Sequence, residues 1–153
     1  MKIKKKVYVG LSVDIIHEGH INILETAKSY GDVIVGLLTD GAIASYKNIP
    51  YLDYKRRKII VQNIKYVKKV IPQNTLDYVK NLILIKPDYV VHGDDWKKGV
   101  QKNTRLRVIK TLKKWSGKLI EPKYTKNISS SIIKNRILDI AARPINRVSR
   151  LKR

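Results

Sequence analysis

Two imidazoles stand three residues apart in the stretch VDIIHEGHINIL: His17 and His20, with Gly19 between them. The segment before them has the pattern of a strand, and the segment after them that of a helix. Both rings therefore fall in a first helical turn, near unpaired backbone N–H groups and the positive end of the peptide dipole. Gly19 lets backbone come close there. Donor or cationic imidazoles beside a helix N-terminus form an anion site suited to phosphate. Two other uses stay open at this level. Zinc is one, although the metalloprotease pattern needs histidines at i, i+4 with a glutamate, and no cysteine is present to add a ligand. A helix that simply begins with two histidines is the other.

The elements that must position these rings follow from the hydrophobic pattern. An apolar strand covers 6–12, followed by a helix over 20–31 with Ile21, Leu24 and Ala27 on one face and Gly31 at its end. The run DVIVGLL, 32–38, is continuously apolar, as in a parallel strand covered on both faces. Next come a helix over 54–64, a short strand over 68–73, and a helix over 75–85 stopped by Lys86-Pro87. A strand over 88–95, a helix over 103–115, a strand over 118–125 and a serine-capped helix over 129–142 complete the pattern. There is no internal repeat. Strand and helix alternate throughout, which predicts one α/β Rossmann-like domain: a parallel sheet of about five strands with helices on both faces. Ligands of such sheets bind beyond the carboxyl ends of the strands. Polar residues gather at those ends, at 12–20, 39–40, 93–96 and 124–131.

Bulk properties narrow the class. The 153 residues amount to one domain, and no apolar run approaches the ~20 residues of a membrane span. The basic N-terminus passes into strand rather than a signal peptide. Without cysteine there are no disulfides and no thiolate chemistry, and a cytoplasmic location is expected. The net charge of +21 fits a binder of nucleic acid or a lysine-rich surface. The lysines are spread along the chain rather than gathered in one stripe, which favours the second. In either case the field attracts phosphate-rich small substrates. The last stretch, RPINRVSRLKR over 143–153, loses the pattern and reads as a basic tail or linker.

Taken together, VDIIHEGHINIL, GDDW at 93–96 and KNISSS at 126–131 resemble the three signatures of the HxGH nucleotidyltransferase superfamily in its cytidylyltransferase branch, where the last is usually RTxGIST. The three occur in the family's order, over about residues 5–140. Within that branch the chain is similar to the phosphonate cytidylyltransferase domains associated with phosphoenolpyruvate mutase, and next to glycerol 3-phosphate cytidylyltransferases. The stretches VGLSVDIIHEGHINI, VGLLTDGAIASYKNIPYL, TLDYVKNL and KPDYVVHGDDWKKGVQ carry the closer likeness.

The resemblance implies a cytidylyltransferase domain over 1–142 that moves the cytidylyl group of CTP onto a small phosphonate, such as 2-hydroxyethylphosphonate or 2-aminoethylphosphonate. The phosphonate oxygen attacks the α-phosphorus in line and pyrophosphate leaves. The alternative is the same transfer onto a phosphomonoester: glycerol 3-phosphate, phosphocholine or phosphoethanolamine. A non-catalytic, basic nucleic-acid-binding module is the alternative from another class. By the family pattern His17, His20 and Lys47 are catalytic. Ser12, Asp14, Gly19, Asp95, Thr125, the backbone of Ile128, Ser129 and Ser130 hold CTP, and Arg57, Trp96 and Tyr124 meet the acceptor. Mg²⁺ is expected to bridge the CTP phosphates without a protein cage. A homodimer, and fusion or association with a phosphoenolpyruvate mutase, are further implications. The chain departs from the pattern at Val13, where the family has Phe, at Tyr124, where it has Arg, and at Asn127, where it has Gly. Asn tolerates a left-handed backbone, so the turn survives, whereas the missing Arg removes a phosphate or acceptor contact. These departures argue against a glycerol 3-phosphate substrate more than against cytidylyl transfer.

Overall fold

A computed structural model describes residues 3–143. Five parallel strands, β1 (Lys6–Leu11), β2 (Asp32–Leu38), β3 (Val67–Gln73), β4 (Tyr89–Val91) and β5 (Lys118–Ile120), form one sheet in the order β3-β2-β1-β4-β5. The helices are α1 (Glu18–Tyr30), α2 (Asp40–Ala44), α3 (Tyr54–Gln62), α4 (Val79–Ile85), α5 (Lys102–Leu112) and α6 (Ser130–Ala142). The predicted α/β domain is therefore observed, with its five strands.

Alternation along β1 divides the core. Val7 and Val9 pack on one face with Leu24 and Ala27 of α1 and Val61 of α3. Tyr8 points to the other face, with Leu82 of α4, Val108 and Leu112 of α5, Tyr78 just before α4 and Trp96 just after β4. The central strand β2 is buried at every position, as its unbroken apolar run requires.

Boundaries differ where local chemistry intervenes. The strands predicted over 88–95 and 118–125 shrink to three residues each, paired from Tyr89↔Lys118 to Val91↔Ile120. Beyond Gly93 the chain turns into a 3₁₀ segment, Asp94–Lys97, while Pro122 offers no N–H to extend the ladder. The helix predicted from residue 75 begins at Val79, because the Asp77 carboxylate accepts from the Val79 N–H (3.0 Å) and makes a turn first. The short helix α2 was not anticipated; its Thr39 cap accepts from Ala42 N. Residues 144–153, most of the predicted basic tail, lie outside the described residues.

Candidate active site

The strand order reverses direction between β1 and β4, so a crevice opens at their carboxyl ends, where a doubly wound sheet holds its ligands. A cleft of about 290 Å³ lies there. Its walls include the end of β1 with the turn leading into α1, the loop after α2, the segment between β3 and α4, the β4 end, and the loop leading into α6.

His17 is the N-cap of α1, and its Nδ1 accepts from the Gly19 N–H at 3.1 Å. His20 returns the bond: its Nδ1 accepts from the His17 N–H at 3.2 Å. Because a backbone N–H can only donate, both Nδ1 atoms are unprotonated and each ring carries its proton on Nε2. Burial, then the charges of His17 and Lys47, lower the His20 pKa to about 4. Burial also lowers that of His17. At neutral pH the pair therefore offers two neutral Nε2–H donors, with ring centroids 4.0 Å apart, beside the free N–H groups of α1. That is a clamp for anionic oxygens, and it leaves the rings as donors, not as metal ligands.

Lys47, from the loop after α2, donates to Ser12 Oγ at 3.1 Å and lines the same cleft. Burial and the nearby Lys134 lower its pKa, with Asp14 opposing them. Opposite stands the start of α6. Ser129 caps it by accepting from Ile132 N (3.1 Å), and Ser130 Oγ donates to the Ile15 carbonyl (3.2 Å), which docks this helix start beside the α1 turn. Asn127 is left-handed, φ 63°, so asparagine does serve where glycine is usual. Thr125 accepts from Asn22 of α1 at 3.1 Å. Two helix N-termini thus face one cleft, each an anion site.

Ser12, Gly19, Asp95, Tyr124, Thr125, Ser129 and Ser130 all join His17, His20 and Lys47 on the cleft wall. Four expected residues do not. Arg57 is fully buried: its guanidinium donates to the Leu52, Ser12 and Leu38 carbonyls and to Asp40 Oδ1 (2.6–2.9 Å). It fastens the ends of β1 and β2 to α3 and has no face left for an acceptor. Trp96 is likewise core, 1 % exposed, donating through Nε1 to Glu121 (3.1 Å) and stacked on His92 at 3.7 Å. Glu121 is itself clamped bidentately by Arg105. Asp14 is buried beneath the loop after α2, accepting from Tyr51 N (2.7 Å) and paired with Lys134 of α6, so it holds protein rather than CTP. Ile128 stands off the wall, and its carbonyl accepts from Tyr124 Oη.

The wall also contains residues that the sequence reading gave no role, among them Tyr46, Leu76, Tyr78 and His92, although each lies in a stretch that carries the family likeness. Leu76 and Tyr78 come from the carboxyl end of β3, the one strand end to which no polar cluster drew attention. Among the described residues Asp95 is the only carboxylate on the wall, and no three His, Cys, Asp or Glu side chains converge on a metal.

Residues 8–136 match the family described as Cytidylyltransferase-like. The glycerol-3-phosphate cytidylyltransferase of Bacillus subtilis (strain 168) is 38 % identical over 94 residues, covering 60 % of this chain and 73 % of that protein. The ethanolamine-phosphate cytidylyltransferase of Mus musculus is 33 % identical over 137 residues, covering 87 % of this chain and 32 % of that one. Among solved structures, a lipopolysaccharide core biosynthesis protein from Thermoplasma volcanium GSS1 shares the fold at a TM-score of 0.69, with 24 % identity, over 80 % of this chain and 99 % of that one. With two helix starts and two imidazole donors around one crevice, and a family match across nearly all of the described residues, the chain belongs to the cytidylyltransferase-like family and is a CTP-dependent nucleotidyltransferase.

Proposed function

We propose that the protein transfers the cytidylyl group of CTP to a small phosphomonoester of the glycerol 3-phosphate or phosphoethanolamine type, releasing pyrophosphate. The observation that carries this reading is the convergence of the His17–His20 pair, Lys47 and the N-termini of α1 and α6 on one cleft. The similarity to glycerol-3-phosphate and ethanolamine-phosphate cytidylyltransferases supports the acceptor class. An acceptor phosphate oxygen attacks the α-phosphorus, a P–O bond forms there, and the bond to the β-phosphate oxygen breaks. Little covalent chemistry is asked of the side chains, so positioning and charge stabilisation do the catalysis. The two Nε2–H groups meet oxygens on which charge builds, Lys47 adds a cation, and the helix starts hold the departing phosphates.

Mg²⁺ enters this reading as part of the MgCTP substrate. A wall with one carboxylate does not supply the donor set of a resident ion. A phosphonate acceptor, which the sequence resemblance favours, differs from a phosphomonoester only in a C–P link. The test therefore uses both. Pyrophosphate release is followed with MgCTP or MgATP against glycerol 3-phosphate, phosphoethanolamine, phosphocholine and 2-hydroxyethyl- and 2-aminoethylphosphonate. CTP-dependent release with a phosphomonoester is expected, and no release with any acceptor would refute the reading. A nucleic-acid-binding module would instead show salt-sensitive retention of DNA or RNA, indifferent to His17→Ala. Homodimer formation is also part of the proposal, with sedimentation as its check, as is association with a phosphoenolpyruvate mutase, to be checked by co-purification of the two proteins. Among the described residues no helix is long and apolar enough to cross a membrane.

A further inference from the structure

Tyr78 stands immediately before α4, 4 % exposed, with its ring packed between Tyr8 (5.8 Å, edge-on) and Trp96 (5.7 Å). Its hydroxyl lies directly over Gly10 of β1, where an added Cβ would come within 2.3 Å of Oη. Glycine at position 10 is thus what makes room for the phenol. The neighbouring Tyr8 is a buried phenol with both hydrogen-bonding roles filled: Oη donates to Gln73 (2.7 Å) and accepts from Asn81 (2.9 Å). Tyr78 Oη makes no hydrogen bond to another described residue and is not sealed off: the enclosed side-chain oxygens without a hydrogen-bond partner are Asp14 Oδ2 and Tyr54 Oη, whereas Tyr78 lines the cleft. A phenol at the cleft wall whose O–H is not engaged by protein is free to donate to a ligand oxygen.

Its place in the sheet says which ligand. Val7 and Val9 face α1, whereas Tyr8 and the open side of Gly10 face α4, α5 and Tyr78. The triphosphate clamp is therefore on the α1 side of the sheet's carboxyl edge, and Tyr78 is on the other side. In an in-line displacement the attacking oxygen approaches opposite the departing pyrophosphate. We propose that Tyr78 Oη is a binding residue for the acceptor, donating a hydrogen bond to an oxygen of its phosphate group on the side of the cleft away from the α1 clamp. This rests on the cytidylyl-transfer reading above. Burial raises the phenol's pKa, so it stays a neutral donor across the working range.

Tyr78→Phe removes only the hydroxyl and keeps the ring packed against Tyr8 and Trp96. Affinity for α,β-methylene-CTP is measured first, then binding of glycerol 3-phosphate and phosphoethanolamine to the nucleotide-loaded protein, alongside steady-state KM values and the melting temperature. A lost hydrogen bond to a charged group corresponds to about a 10- to 100-fold loss. The expected result is that weakening for every phosphate acceptor bound, with nucleotide affinity and melting temperature unchanged. Unchanged acceptor binding would overturn the proposal, as would a loss that falls on the nucleotide, or on one acceptor alone. A wild-type protein that binds the nucleotide but neither acceptor would overturn both this and the function; active wild type with an indifferent Tyr78→Phe overturns this alone.

Discussion

His20 links the stability of the fold to the protonation state of the clamp. Burial and two neighbouring positive charges lower its pKa from 6.5 to about 4. As pH falls through 6.5 the unfolded chain takes up a proton on His20, and the folded chain does not until about pH 4. The unfolded state binds more protons across that window, so stability rises with pH there and is lost on acidification. At about 1.4 kcal/mol per pH unit, the window amounts to about 3 kcal/mol, trimmed somewhat because the ring keeps some solvent contact. His20→Gln removes this titration while keeping a polar donor at the helix start. Urea unfolding of both proteins from pH 7.5 to pH 4 is the assay. The wild-type advantage over His20→Gln is expected to shrink by about 2–3 kcal/mol between pH 6.5 and 4 and to be constant above. Parallel curves would mean that the fold does not lower the His20 pKa and would refute its being held neutral. In the transfer assay, loss of this donor in His20→Ala is expected to cost about 10²–10³ in kcat. A wild-type kcat would take His20 out of the site.

Three further outcomes follow from the contacts that reassigned sequence-expected residues. Arg57→Met strands Asp40 and three carbonyls, and an unfolding free energy lower by about 3–5 kcal/mol is expected; unchanged stability with a raised acceptor KM would return Arg57 to the ligand. Lys134→Met leaves Asp14 buried without its cation and loosens α6, which has no buried side chain of its own. A rise in CTP KM with lowered stability is expected, Lys134→Arg restoring both, and unchanged CTP KM would dismiss the coupling. Trp96→Phe gives up the Nε1–H bond to Glu121 and part of a fully buried ring stacked on His92, so unfolding should become easier by about 2–4 kcal/mol with acceptor KM unmoved; the reverse pattern would place Trp96 on the acceptor.

The division between what was legible and what was not follows the range of the forces involved. Strand and helix periods, the serine at the start of α6 and the two-histidine start of α1 are local, and each is readable from a few neighbours. So is the rule that sends their polar ends to one edge of the sheet. The tautomers of the histidines are nearly local too, since each ring is fixed by a backbone N–H within three residues. Arg57, Trp96 and Asp14 sit in or beside matching motifs, and composition alone cannot tell a ligand contact from a structural one. Their partners come from elsewhere: Ser12 and Leu38 for Arg57, Glu121 for Trp96, Lys134 for Asp14.

Period, capping and strand-end placement act over short spans, so the chain alone already set an alternating α/β fold with His17 and His20 at the start of its first helix, where an anion site, zinc and a plain helix start all stayed open. Only the tertiary structure decided which polar residues face the cleft and which are spent holding it. It alone set the phenol of Tyr78 over Gly10 of β1 at the cleft wall, since burial and hydrogen-bond satisfaction depend on what distant segments bring to the same place.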